Sequence, residues 1–136
     1  MVDSAMVIRA LEPADIRATA ALLAEAMADD PAYNFLFPRG QGHVARGERH
    51  WVVHMMAVDP SRQGRGLGSH LLNFILDATV DARTTGGKAP AVLTTHEERN
   101  VLFYERAGFE VDGAQTMSSM GEAPYRLWSM RRRPRT

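Results

Sequence analysis

The chain of 136 residues has no cysteine. That excludes a disulfide framework, a thiolate metal site and a cysteine nucleophile, and leaves a cytoplasmic setting as the default. It also has no excess of either charge, since sixteen lysines and arginines balance sixteen acids. No global field therefore steers nucleic acid, an anionic membrane or an acidic partner toward it, so any charged ligand must be met locally. No apolar run reaches the roughly 18 residues of a membrane span. The N-terminus has no basic stretch ahead of an apolar one. No internal repeat or low-complexity tract is visible. What remains is one domain, expected over residues 1–136, with enough chain for a single core.

Met6–Leu11 is a short apolar run with a β-branched pair, read as a strand, and Glu12-Pro13 opens a helix with proline at its first position. Ile16, Leu22, Leu23 and Met27 recur at helical spacing from Ala14 to Ala28, with Asp15 in the acid-favoured first turn. A second short helix is expected after Asp30-Pro31, and the glycine-rich stretch from Gly40 to Gly47 reads as a loop. His50–Val58 is rich in strand formers and ends at Asp59-Pro60, so a central buried strand is expected there.

Leu67, Leu71, Phe74, Ile75 and Ala78 then predict a long amphipathic helix that dies at Thr85-Gly86-Gly87. Ala91–Thr95 reads as a strand, Asn100–Ala107 as a helix closed by Gly108, Phe109–Val111 as the start of a strand and Tyr125–Met130 as a last one. Strand, helix, strand in this order requires a crossover, hence an α/β or α+β sheet with parallel pairing in its middle. Trp128 and Trp51 are expected to pack. The basic run Arg131–Arg135 reads as a frayed, solvated end rather than a nucleic-acid patch.

Between the strand ending at Val58 and the helix opening near Leu67 lies Pro60-Ser-Arg-Gln-Gly-Arg-Gly-Leu-Gly68. A helix start offers N–H groups without intrahelical acceptors and the positive end of the macrodipole, a place suited to an anion. Glycines at 64, 66 and 68 let a phosphate approach the backbone, while Arg62 and Arg65 add charge at the mouth. A Walker loop would need lysine where Leu67-Gly68-Ser69 has none. A dinucleotide fingerprint would need glycine or alanine at Ser69.

The segment Val58–Leu72 resembles the pyrophosphate loop of the GNAT superfamily of N-acetyltransferases. The family pattern of Gln or Arg, two residues, Gly, one residue, then Gly or Ala is met by Gln63, Gly66 and Gly68. A second family element is matched by Asn100-Val-Leu-Phe-Tyr104 through Phe109. The resemblance covers residues 50–111 and is closest to small-molecule and antibiotic acetyltransferases. It implies a mixed sheet flanked by helices and acetyl-CoA as acetyl donor. Gln63, Gly64, Arg65, Gly66, Leu67, Gly68 and Ser69 would cradle the diphosphate. Backbone groups of Met56, Ala57 and Val58 would pair with the pantetheine arm, Asn100 would contact the cofactor and Tyr104 would lie near its sulfur.

Direct acetyl transfer needs a neutral amine, a polarised carbonyl and a proton for the departing thiolate. A lysine-like amine with a pKa of about 10.4 costs roughly 4 kcal/mol to deprotonate at neutral pH, so a base or a desolvating pocket helps. On a regular strand His54 shares a face with His50, Val52, Met56 and Val58, and the arylalkylamine acetyltransferases resemble this sequence in carrying a histidine there. It is the candidate base, against the plainer reading of a packed histidine. Tyr104 falls on the family's general-acid position. A backbone N–H at a bulge in the strand ending at Val58 would polarise the carbonyl without a metal. His43, His50, His54, His70 and His96 show no metal spacing beyond the His50/His54 pair, which on a strand would share a face but lie about 13 Å apart.

The family normally inserts two antiparallel strands before the strand ending at Val58, yet Phe37 and His50 are separated by only twelve residues. The N-terminal half is thus expected to be shortened. The strand at His50–Val58 then pairs with the N-terminal strand or lies at an edge that invites a second copy of the chain. Two readings follow: an N-acetyltransferase for a primary amine of a small molecule or peptide, or an acetyl-CoA-binding domain with impaired catalysis.

Overall fold

The computed structural model describes residues 7–26, 49–82, 87–118 and 123–136. The expected second helix, the loop from Gly40 to Gly47 and the shortened connection before Arg49 lie outside these residues. The described residues divide into two compact units, one holding 7–26 and 55–72, the other 49–54 and 73 onward.

In the first unit Pro13–Asp15 forms a 3-10 turn that runs into helix α1, Ile16–Ala26. Asp15 explains this start. Its Oδ2 accepts the Glu12 N–H at 2.9 Å, and its carboxylate takes two hydrogen bonds from Arg9 at 2.5 and 2.8 Å. These partners hold the Asp15 carboxyl down at about 2. Two expectations change here. Val7–Leu11 is not a strand, and Val7 and Leu11 are 80% and 68% exposed. Strand propensity describes fit to a sheet surface, and no described strand pairs with this segment. Ile16, expected on the packed face of α1, is 65% exposed, whereas Leu22 and Leu23 are half-buried.

The second unit contains a four-stranded mixed sheet flanked by helices. Its strands are β1 (Trp51–Val52), β2 (Ala91–Thr95), β3 (Glu110–Met117) and β4 (Tyr125–Arg132), in the order β1-β2-β4-β3. The expected crossover exists: β1 leads through helix α2, Leu67–Thr79, to a parallel partner β2. Its place differs, because the parallel pair lies at the edge of the described sheet while β2, β4 and β3 pair antiparallel. The strand expected over His50–Val58 is cut to two residues, with Trp51 46% and Val52 56% exposed. Hydrogen bonds from Trp51 N–H to the Pro90 carbonyl and from Val53 N–H to the Val92 carbonyl, at 2.8 and 3.0 Å, mark the extent of its ladder with β2. Strand-forming residues beyond Val53 have propensity without a described partner.

Helix α2 starts where expected but ends at Thr79, short of Thr85-Gly86-Gly87, and buries a different stripe. Leu72, Leu76 and Val80, four residues apart, are at most 2% exposed, while Leu71, Phe74 and Ile75 are between 36% and 48% exposed. The rest of the core comes from Ala91, Val92 and Leu93 of β2, Met130 of β4, and Val101, Ala107 and Phe109 around helix α3, Glu98–Arg106. Helix α3 packs on β2 and β3. It stops at Gly108, whose φ of +90° only glycine adopts freely, with the Phe109 N–H returning to the Tyr104 carbonyl at 3.1 Å. A register shift between Val111 and Gly113 bends β3.

The basic C-terminal run is not frayed. Arg131 and Arg132 belong to β4, and Arg132 is 3% exposed. Its guanidinium donates to both oxygens of Asp81, just past α2, at 3.2 and 2.6 Å, and its Nε–H to the Ala107 carbonyl at the end of α3 at 2.9 Å. The backbone N–H of Arg135 gives Asp81 a further bond at 2.7 Å. A part-buried carboxylate partners these cations, and charge composition alone cannot reveal such a partner. Trp128 is half-buried under the Arg126 guanidinium, 5.5 Å from the ring centre, whereas Trp51 does not pack as expected.

Candidate acetyl-CoA site

The loop of the first unit is built from local turn chemistry. Asp59 Oδ1 accepts the Ser61 N–H at 2.9 Å and the Ser61 hydroxyl at 2.6 Å, which starts a 3-10 turn over Pro60–Arg62. These hydrogen bonds from Ser61 lower the Asp59 pKa. Gln63 closes the loop by donating from Nε2 to the Val58 carbonyl at 3.1 Å. Asp59 was not among the residues expected to matter, although an aspartate before Pro-Ser is a standard turn and cap signal. The side chain of Gln63 is committed to the loop's own backbone.

Gly64 and Gly66 have φ of +73° and +78°, conformations that L side chains rarely adopt. A Cβ on Gly64 would meet nothing within 4 Å, so the space above it is open. The His70 N–H bonds the Gly66 carbonyl at 3.0 Å, which makes Gly66 the residue that opens α2. Gly66 has no side chain to cap the helix, and the first turn of α2 carries no acid. The N–H groups of Leu67, Gly68 and Ser69 thus face a position where a helix start favours negative charge. Arg62 and Arg65 are exposed beside it in the chain. Gly68 is half-buried and Ser69 exposed. Met56, Ala57 and Val58 precede this loop as half-buried residues outside any described ladder.

In the second unit Asn100 and Tyr104 stand one turn apart on α3, so both lie on one side of that helix. The Asn100 N–H bonds the Glu97 carbonyl at 3.0 Å. The Tyr104 ring meets Phe103 and Phe109 edge-on, with centroids 5.1 and 5.7 Å away. Burial raises the phenol's pKa above its ordinary value. His54 is exposed and lies past the end of β1, so the strand face it was expected to share with Met56 and Val58 does not form. Among the described residues no three His, Asp or Glu side chains gather into a metal site, and no helix is long and apolar enough to cross a membrane.

The sequence model of the acetyltransferase (GNAT) domain matches residues 21–111, more than half of the chain. The chain belongs to the GNAT acetyltransferase family. Solved structures agree on the fold of this GNAT domain. A Corynebacterium glutamicum protein described as histone acetyltransferase HPA2 and related acetyltransferase is 19% identical, with a TM-score of 0.67 over 93% of this chain and 94% of that one. Arabidopsis thaliana Naa50, in complex with the bisubstrate analogue CoA-Ac-MVNAL, is 22% identical, with a TM-score of 0.52 over 63% of this chain and 56% of its own. At these identities the likeness concerns the GNAT fold alone.

Proposed function

We propose that this GNAT chain is a single-domain, cytoplasmic N-acetyltransferase that moves the acetyl group of acetyl-CoA to a primary amine of a small molecule or peptide. The observation that carries this reading is the start of α2. Gly64 and Gly66 have left-handed φ, and the helix opens on a glycine without an acid in its first turn. Those features fit a diphosphate, whose oxygens need close backbone approach and N–H donors. Gln63, Gly64, Arg65, Gly66, Leu67, Gly68 and Ser69 would hold it, with Met56, Ala57 and Val58 along the pantetheine arm and Asn100 as a further contact. The Naa50 complex, with its CoA-bearing analogue, supports the same donor.

Acetyl-CoA supplies an acyl group activated as a thioester. The residues of the chain manage protons and position. Tyr104 would donate its hydroxyl proton to the sulfur as the carbon–sulfur bond breaks. His54 is the candidate acceptor for the proton that the amine loses. A backbone N–H near Val58 would polarise the carbonyl. The exposure of Trp51 and Val52 supports pairing of two copies through the β1 edge, which the mass of the protein in solution tests.

A second reading, an acetyl-CoA-binding domain with impaired catalysis, is favoured by one feature: His54 lies outside the strand that was to orient it. One pair of measurements separates the two. Calorimetry with acetyl-CoA reports binding, and thiol release with a panel of amines reports transfer. Binding with amine-dependent release is the expected result. Binding without release from any amine class selects the second reading, and absence of binding overturns both.

A further inference from the structure

Gln63 is the last residue before the two left-handed glycines of the loop, and its side-chain amide binds the protein's own backbone. Its Nε2–H reaches the Val58 carbonyl at 3.1 Å. Its backbone N–H turns to the Pro60 carbonyl at 3.5 Å and closes the 3-10 turn. The turn is fixed from its other end by Asp59, whose Oδ1 takes the Ser61 N–H and hydroxyl at 2.9 and 2.6 Å and whose carbonyl takes the Arg62 N–H at 2.8 Å. Val58 is half-buried outside any described ladder, so its carbonyl needs a donor, and the Gln63 amide supplies one. Beyond Gln63 the chain has φ of +73° at Gly64 and +78° at Gly66, where glycine gives the backbone its widest freedom. All of these residues belong to the first compact unit.

We propose that Gln63 is a positioning residue for acetyl-CoA: by holding the Val58 carbonyl it fixes the spacing between Met56–Val58, assigned to the pantetheine arm, and the glycine loop, assigned to the diphosphate. This rests on the acetyl-CoA reading above. Gln63 then serves the diphosphate through the frame it builds, without a contact from its side-chain amide to the ligand. A ligand that spans two patches gains affinity when they are held at its own spacing. It loses affinity when they drift, although each patch still binds its own half. Gln63 is exposed, so its hydrogen bond adds little to the stability of the fold. A residue that only steadied the turn would duplicate Asp59, which already holds Ser61 and Arg62, whereas the Gln63 amide reaches back past the turn to the residue before it.

The test compares the wild-type protein with Gln63→Met, which keeps the length of the side chain and removes its donor. The readouts are the Kd of acetyl-CoA and the Kd of ADP, which carries a diphosphate without pantetheine. Both are followed by NMR shifts of the loop amides, well below the Tm of each protein. Gln63→Met is expected to bind acetyl-CoA about tenfold more weakly and ADP within about twofold of the wild type. An equal loss for the two ligands overturns the proposal, because it makes the side chain a direct diphosphate ligand or a support of the loop alone. An unchanged Kd for acetyl-CoA, whatever the Tm, overturns it as well. Both results leave the acetyl-CoA reading standing, whereas a wild-type protein that binds no acetyl-CoA overturns the two together. Should the variant fail to fold, or ADP bind too weakly to titrate, the wild-type Gln63 side-chain amide decides. Its protons are expected to keep their nuclear Overhauser contacts to Val58 on saturation with acetyl-CoA, and loss of those contacts overturns the positioning role.

Discussion

Tyr104, the proposed proton donor, has a ring that meets Phe103 and Phe109 edge-on and a hydroxyl whose pKa burial raises. Replacing it with phenylalanine keeps the ring contacts and removes the proton. Turnover is expected to fall by about 100-fold while the Kd of acetyl-CoA stays nearly constant, which steady-state kinetics and calorimetry check together. Titration by ultraviolet absorbance should show this phenol ionising above the ordinary value of 10. The sign for stability follows. The unfolded phenol ionises first, so its contribution is complete below the ordinary value and is lost as pH rises through the raised one. Gly66→Val should abolish binding, since φ of +78° strains any L side chain and the added bulk blocks backbone approach. At this scale the loop was readable because glycine and Asp-Pro-Ser chemistry is local. The burial of Arg132 was not, because it depends on Asp81, 51 positions earlier.

At the scale of elements, α2 shows how helical spacing underdetermines a face. Leu71, Phe74, Ile75 and Ala78 form one apolar stripe and Leu72, Leu76 and Val80 another, and either could have been the core by period alone. The structure buries the second stripe. Leu76→Ala should therefore destabilise by about 2–5 kcal/mol in denaturant titrations, and Ile75→Ala by well under half of that. The end of α3 was legible because Gly108 punctuates it, although the helix starts at Glu98 rather than Asn100, and β2 has its expected span. The span of β1 was not, because a strand's length depends on the ladder it finds. Gly108→Ala places a Cβ at φ of +90° and against Arg132 Nε, and should cost more than about 1 kcal/mol.

For the molecule as a whole, the pair of the part-buried Asp81 and the buried Arg132 gives stability an acid limb. The hydrogen bond from Arg132 holds the Asp81 carboxyl below its ordinary 3.8. That stabilisation is fully present above the ordinary value and is lost as pH falls through the lowered one. Thermal melts of Asp81→Asn should show a lower Tm near neutrality, because Arg132 loses its carboxylate partner, and a flatter approach to acid. The order of the sheet has a separate consequence, for synthesis. β4 lies between β2 and β3, which pair with it and not with each other, although it follows both in the chain. A nascent chain emerging at about 5–20 residues per second thus carries β3 unpaired and β2 paired on its β1 side alone until β4 slides between them. A ribosome that stalls after Met117 would leave exposed edges for other nascent chains, which makes this insertion step the natural point for a chaperone to act.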